Sequence, residues 1–162
     1  MPTLKASQKR ELLNNLSALK RFCMSMTGSP ADADDLLQLT VERLLERGMP
    51  ADADVSRWTY RVCRNLWLDE LRSREVRTRY VQSELVVNSE ISSQPLEDAG
   101  SIELERANQA MSELPEEQRS ALLLVAVEGR SYAEVAEILA IPIGTVMSRI
   151  ARARKALAEK ME

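Results

Sequence analysis

Apolar residues recur at helical spacing along most of the chain. A first amphipathic helix that ends near Thr27-Gly28 is predicted by Leu12, Leu13, Leu16, Leu19 and Phe22. Ser29-Pro30 is a helix start signal, an N-cap residue followed by proline at the first helical position, and it predicts a second helix over 31–47. Further periodic segments predict helices at about 56–79, 103–112, 115–127, 131–139 and 143–158.

The last two predicted helices form a helix-turn-helix. Ser131 and Glu134 have the spacing of a capping box, and Pro142 marks the start of the second helix. In that helix one stripe is apolar and consists of Val146, Ile150, Ala153 and Leu157. The opposite side carries hydroxyl and basic side chains that can bond base edges and phosphates: Thr145, Ser148, Arg149, Arg152 and Lys155.

That polar face has two interpretations. A solvated amphipathic helix has the same pattern, with basic residues that complement its C-terminal dipole. The capped helix and the turn before it favour DNA binding. Repressors, activators and recombinases all use a helix-turn-helix, so this motif by itself names no function.

The periodicity fails over 81–102, where Ser, Asn, Gln, Pro and acidic residues mix. We therefore predict an all-α protein of two small helical domains, at 1–80 and 105–162, joined by a flexible acidic linker at 81–104. Few aromatic residues (4%) and only five glycines agree with an all-helical chain.

The charge is distributed unevenly. The net charge is −3, yet residues 54–81 hold seven Arg against four acids and residues 141–162 hold five basic residues against two acids. Residues 84–117 hold nine acids and one Arg. Because local potential governs contact with phosphate, the acidic total does not exclude a nucleic-acid partner.

The chain has no His and only two cysteines, Cys23 and Cys63. This excludes a Cys/His zinc site and a His-dependent triad, and no metal or other cofactor is expected. Two isolated cysteines are typical of reduced core positions in a cytoplasmic protein. No secretory signal or membrane-length apolar run is visible, so we expect a cytoplasmic location.

Two N-terminal stretches add a family resemblance: ADADDLLQLTVERLLER (31–47) and SRWTYRVCRNLWLDELRSR (56–74). The C-terminal half follows with LPEEQR, GRSYAEVAEIL and IGTVMSRIARARKAL. In this order they resemble the extracytoplasmic-function (group 4) sigma factors of bacterial RNA polymerase, of the sigma-70 family. The resemblance implies a region 2 bundle of three or four helices followed by a region 4 helix-turn-helix.

The resemblance also implies roles for individual residues in the N-terminal domain. The helix at 31–47 would dock on the polymerase clamp coiled coil through Asp35, Leu36 and Gln38. An ordinary helix with acids near its N-terminus is an equally good interpretation of those residues. The loop 49–55 would hold an extruded base, and the next helix would bind the melted −10 strand through basic and stacking side chains: Arg57, Tyr60, Arg61, Arg64 and Asn65.

In the C-terminal domain the resemblance implies that Arg154 and Lys155 contact phosphates. It also implies that four residues recognise the bases of the −35 element: Thr145, Ser148, Arg149 and Arg152. Two residues depart from the family pattern. Leu39 stands where the family usually has an acid, and Met147 where it commonly has Lys or Arg.

The implied partners are core RNA polymerase (clamp coiled coil and flap), promoter DNA and an anti-sigma factor, often membrane-bound, that would hold the chain at the inner membrane face. No small-molecule substrate is expected. The alternative function is a sigma-like module that sequesters an anti-sigma factor without binding promoters. A lone helix-turn-helix repressor leaves the N-terminal domain unexplained. An enzyme is least favoured, because no acid–base or metal constellation is visible.

Overall fold

The computed structural model describes residues 4–84 and 99–161. Eight α-helices and no strand occur in these two ranges, so the all-α prediction is confirmed. The N-terminal domain contains α1 (Ala6–Asn14), α2 (Leu16–Thr27), α3 (Pro30–Arg47) and α4 (Val55–Glu84). The C-terminal domain contains α5 (Ala99–Ser112), α6 (Glu116–Ala126), α7 (Tyr132–Leu139) and α8 (Ile143–Met161).

Helix ends follow the predicted capping chemistry. The Ser29 hydroxyl accepts a hydrogen bond from the Asp32 backbone N–H at 3.4 Å, with Pro30 at the first helical position. Gly28 ends α2 at φ +70°, a left-handed conformation that glycine adopts without steric cost. Both hydrogen bonds of the Ser131–Glu134 capping box are present at the start of α7.

The first predicted helix is in fact two helices. The chain leaves helical geometry at Asn15 (ψ +2°), and the Asn15 side-chain amide donates to the Glu11 carbonyl at 2.8 Å. Asparagine competes in this way with the regular helical hydrogen bonds, so α1 ends here and α2 begins at the next residue.

The predicted linker falls largely outside the described residues. Residues 85–98 are its central part, whereas α4 extends to Glu84 and α5 begins at Ala99. Both ends of the predicted linker are therefore helical. Within the described ranges, no helix combines the length and the apolar character that crossing a bilayer requires.

The two domains pack against each other, which the sequence did not predict. One hydrophobic cluster runs through both: it includes Phe22 and Met26 from α2, Tyr60 from α4, and Leu124 and Ile150 from α6 and α8. The Phe22 and Tyr60 rings meet edge to face at 5.0 Å between centroids. Trp67 is buried in this cluster (4% exposed), while Trp58 is half-buried.

Candidate nucleic-acid interface

Helix α8 separates a buried stripe from an exposed polar face. Val146, Ile150 and Ala153 are at most 1% exposed, as the apolar spacing predicts. Ser148, Arg152 and Lys155 are exposed on the other side. Hydroxyl and guanidinium groups presented by the second helix of a helix-turn-helix have the chemistry that major-groove reading requires.

Thr145 and Arg149 lie at the edge of this face. Both are half-buried, and the Arg149 side chain is 20% exposed with its guanidinium 3.9 Å from a Glu117 carboxylate oxygen. That separation is long for a hydrogen bond, so the guanidinium remains available to another acceptor.

Arg154 points away from the other predicted −35 residues. It lies between the buried Ala153 and the exposed Lys155, and its side chain is rotated by about 100° around the helix axis from that of Lys155. The structure places it along an apolar groove of about 680 Å³ that Met24 and Leu104 also line. A phosphate contact by Arg154 therefore stays a prediction. Its side chain points in a different direction from that of Lys155.

The predicted −10 residues lie on α4, which Asp54 caps by accepting the Arg57 backbone N–H at 3.1 Å. Asn65 is exposed. Arg57, Arg61 and Arg64 are half-buried because the C-terminal domain covers them. The preceding loop is anchored by the Gln8 side-chain amide, which donates to the Pro50 carbonyl at 2.9 Å.

Tyr60 is buried rather than offered to a base. It is 3% exposed, and its hydroxyl donates to Glu128 Oε1 at 2.7 Å. Burial, reinforced by the hydrogen bond to Glu128, raises the pKa of Tyr60 to about 12. Stacking of a base on Tyr60 stays a prediction, and in this arrangement it would require the two domains to move apart.

The predicted clamp-docking residues divide into exposed and buried positions on α3. Asp35 and Gln38 are exposed, and the Gln38 amide donates to Glu42 at 3.3 Å. Leu36 is only 4% exposed and packs in the core, so its predicted contact with the clamp stays a prediction. Leu39 is 42% exposed and is the apolar side chain that this surface presents.

An arginine network beside this surface was missed by the sequence reasoning. The Arg74 guanidinium donates to both Asp32 carboxylate oxygens, at 2.8 and 3.1 Å, and to Glu70 at 2.7 Å. It also lies 5.1 Å from the Trp67 ring centre. The hydrogen bond from Arg74, together with one from Arg77, lowers the pKa of the Glu70 carboxyl. The network joins α3 to α4 and so fixes the surface that carries Asp35.

A smaller ion pair lies on the exposed surface of α4. Arg72 donates to Asp69 at 3.2 Å, one helical turn away on α4, and both side chains are at least 70% exposed. Such a pair stabilises the helix surface only slightly.

Family models match both halves of the chain. Sigma-70 region 2 matches residues 13–77, and sigma-70 region 4 matches residues 104–157. The sigma factor EcfG of Rhodopseudomonas palustris is 32% identical over 153 residues, which cover 93% of this chain and 83% of EcfG. The chain belongs to the extracytoplasmic-function family of RNA polymerase sigma factors.

Other members agree in sequence and in fold. The extracytoplasmic-function sigma factor SigW of Bacillus subtilis is 31% identical, across 87% of this chain and 81% of SigW. The solved sigma factor RpoE of Bartonella quintana, in complex with the anti-sigma factor NepR, superposes with a TM-score of 0.77 at 29% identity. That match covers 94% of this chain and 95% of RpoE. In this sigma factor the region 2 match spans α2, α3 and most of α4, and the region 4 match runs from within α5 into α8.

Proposed function

We propose that this sigma factor binds core RNA polymerase, directs it to promoters with matching −35 and −10 elements, and helps to open the DNA there. The observation that carries the proposal is the exposed face of α8. Ser148, Arg152 and Lys155 are exposed on the side of α8 opposite its buried stripe. The chain also matches both sigma regions, with region 2 before region 4.

Each of three surfaces has its own role in the proposed function. Helix α8 reads the −35 duplex, the basic face of α4 binds the melted −10 strand, and the α3 surface with Asp35 and Gln38 contacts the clamp. The polymerase performs the chemistry, and this chain supplies recognition. A module that only sequesters an anti-sigma factor has no need of the exposed basic face on α8.

An anti-sigma factor is the regulatory partner that we propose. The support is the RpoE structure, in which a sigma factor of the same fold is bound to NepR. The genes that the chain controls and the signal that releases it are separate questions that a promoter library and a partner pull-down address.

Run-off transcription tests the proposal. Core polymerase with and without the chain is given a promoter library, and a promoter-dependent transcript is expected only with the chain. Failure to bind core polymerase and absence of such a transcript would together refute the proposal.

Two variants then test the reading face. Arg149→Ala is expected to cost about 1–3 kcal/mol at preferred −35 elements and to relax the base preference at one position. Lys155→Ala is expected to weaken binding to all promoters equally and to reduce the salt slope by about one. An unchanged −35 preference in Arg149→Ala would show that another face of α8 reads the bases.

A further inference from the structure

An apolar groove lies where α2 packs against the C-terminal domain. Its volume is about 680 Å³, and residues of α2, α5, α6 and α8 line it. A volume of this size is typical of small-molecule sites, which are mostly apolar and contain a few placed polar groups. Of the residues predicted to contact DNA or the clamp, Arg154 alone lines this groove. The proposed function therefore leaves the groove without a role.

The walls of the groove are apolar and adaptable. Four of the seven methionines of the chain line it: Met24, Met26, Met111 and Met161. A methionine side chain is flexible and polarisable, so it can follow the shape of an apolar ligand that has no rigid form. Four wall residues are also at least 40% exposed: Met24, Met161, Leu104 and Val127. Exposed apolar side chains that gather in one concave place indicate a binding site.

The charged side chains of the groove are all positive. Arg119 and Arg154 line it, and none of its described lining residues is Asp or Glu. The whole chain, in contrast, has 25 acids against 22 basic residues and a net charge of −3. A cationic cleft with apolar walls attracts anions, because low-dielectric walls concentrate its field.

Arg119 forms no ion pair within the described residues. Its guanidinium donates to the carbonyls of Met26 and Leu114, both at 3.2 Å. Its Nε–H is buried and meets no acceptor in the part of the chain that the structure describes. The Glu116 carboxylate is already bonded to Arg64, and burial lowers the pKa of Arg119 below its ordinary value. A half-buried cation that is bonded only to neutral groups is stabilised when an anion binds beside it.

Arg154 is the second cation of the groove. Its side chain is exposed, and over residues 4–84 and 99–161 its guanidinium has neither a hydrogen bond nor an ion pair. The planar guanidinium group matches a carboxylate with two parallel hydrogen bonds. An anionic group in the groove would thus lie beside two guanidinium groups that have no carboxylate of their own.

Apolar walls and unpaired cations together favour an amphiphile with an anionic head. A three-turn helix of a partner protein is about 10 Å wide and 16 Å long, and its volume of roughly 1,200 Å³ would lie largely outside the groove. A single alkyl chain is smaller, and burial of its methylene groups is favourable in proportion to the area removed from water. The flexible methionine walls can enclose such a chain without a fixed shape.

We propose that this groove binds a free fatty acid, with its alkyl chain along the methionine walls and its carboxylate beside Arg119 and Arg154. The ligand contacts α2 of the N-terminal domain and three helices of the C-terminal domain, so its binding stabilises the folded chain with the domains packed. The proposal goes beyond promoter recognition and does not depend on it.

The probe is dodecanoate at micromolar concentrations, added to the full chain. Isothermal titration calorimetry is expected to show saturable binding of about one molecule per chain. In a chain with labelled methionine methyl groups, the nuclear magnetic resonance signals of Met24, Met111 and Met161 are expected to shift. Met49 is the internal control, because it packs on a separate apolar cluster with Leu44 and its signal should stay in place.

Two variants test the groove, and both change exposed positions so that the fold is retained. Arg154→Gln removes a cation and is expected to weaken dodecanoate binding about tenfold, the loss of one charge-assisted hydrogen bond. Leu104→Glu places a carboxylate on the wall and is expected to weaken binding at least as much. The matched control is Arg106→Gln, an exposed arginine of α5 outside the groove, which should leave the affinity unchanged.

Dodecanol and dodecyltrimethylammonium test the head group, since both keep the alkyl chain. Each is expected to bind at least about tenfold more weakly than dodecanoate, because neither offers an anion to the two arginines. Equal binding of all three would overturn the proposal and show that the groove is merely apolar. Binding of many dodecanoate molecules per chain, unaffected by Arg154→Gln, would overturn it as well.

Two further probes distinguish other occupants. Vesicles of anionic phospholipid present the same chemistry within a membrane, and an acidic peptide of leucine and glutamate presents it on a helix. If vesicles retain the chain or the peptide shifts the same methyl signals while dodecanoate does neither, the groove binds a membrane or a protein and the fatty-acid proposal is wrong.

Discussion

Met147 projects from α8 at 53% exposure, between the buried Val146 and the exposed Ser148. A thioether at this position can neither bond a phosphate nor donate to a base edge. We predict that Met147→Arg raises affinity for −35 duplex by about fivefold and steepens the salt dependence by about one unit, since one more cation reaches the DNA. Fluorescence anisotropy over a salt series measures both effects.

Met147→Leu is the control for that substitution, because it keeps an apolar side chain of similar volume. It is expected to leave both affinity and salt slope unchanged. Equal behaviour of the Arg and Leu variants would mean that position 147 does not face the DNA.

Cys23 and Cys63 are in contact with each other, which the composition alone could not predict. Both are 0% exposed, and their sulfur atoms lie 3.6 Å apart in the region 2 core. The hydrogen bond with Cys23, together with burial, raises the pKa of the Cys63 thiol well above its ordinary value. A raised pKa leaves less thiolate at any given pH, and the thiolate is the reactive form.

We therefore predict that neither thiol reacts readily in the folded protein near pH 8. A chromogenic disulfide reagent is expected to modify the native chain at least about 100-fold more slowly than the same chain in denaturant, at a rate set by local opening. Rapid modification of one or two thiols under native conditions would contradict the buried pair.

At the scale of single elements, α7 depends on its first turn. It has only eight residues, so its own helical stability is marginal and the capping box contributes a large share. Ser131→Ala removes the hydroxyl that accepts the Glu134 N–H at 3.1 Å. We predict a loss of about 1 kcal/mol in the free energy of unfolding and a decrease of roughly 2–4 °C in Tm.

Ser148→Ala provides the comparison, because Ser148 is an exposed serine inside α8 and caps nothing. Its Tm should stay within about 1 °C of that of the unmodified chain, because an exposed substitution of this kind changes the free energy of unfolding by only a few tenths of a kcal/mol. If the two alanine variants were equally stable, the capping box would not be what holds α7 in place.

Helix starts and buried helix faces were predictable because the residues that specify them are close together in the sequence. The Ser29-Pro30 start, the Ser131–Glu134 box and the stripe of Val146 and Ile150 each lie within a few residues of sequence. The break at Asn15 was missed, since neither glycine nor proline marks it and the apolar period continues across it. Helix α4 also runs further than its apolar period predicted.

The site was less predictable where it depends on distant parts of the chain. Glu116 and Glu137 have the sequence character of ordinary solvated helix acids, yet they pair with Arg64 and Arg57, 52 and 80 residues away. The family resemblance placed those arginines on a DNA-binding face of α4, and no local pattern indicated a partner within the chain. Only the packing of the two domains reveals what covers that face.

For the whole molecule, the shared hydrophobic cluster implies that the domains unfold together. Met26 Sδ of region 2 lies 3.9 Å from Ser120 Oγ of region 4, and Phe22, Tyr60 and Leu124 belong to the same cluster. Removing one domain would expose apolar surface on the other. Thermal unfolding of the full chain is therefore expected to be one cooperative transition.

Both tryptophans of the chain, Trp58 and Trp67, lie in region 2, so tryptophan fluorescence reports on that domain alone. Leu124 is fully buried in region 4, and Leu124→Ala should cost about 2–5 kcal/mol through lost contacts and a cavity. If the domains are coupled, this substitution lowers the fluorescence midpoint as much as the midpoint from circular dichroism. Leu104→Ala, at an exposed position of α5, should move neither. A fluorescence midpoint that stays constant while the circular dichroism midpoint decreases would show that region 2 is stable without its partner domain.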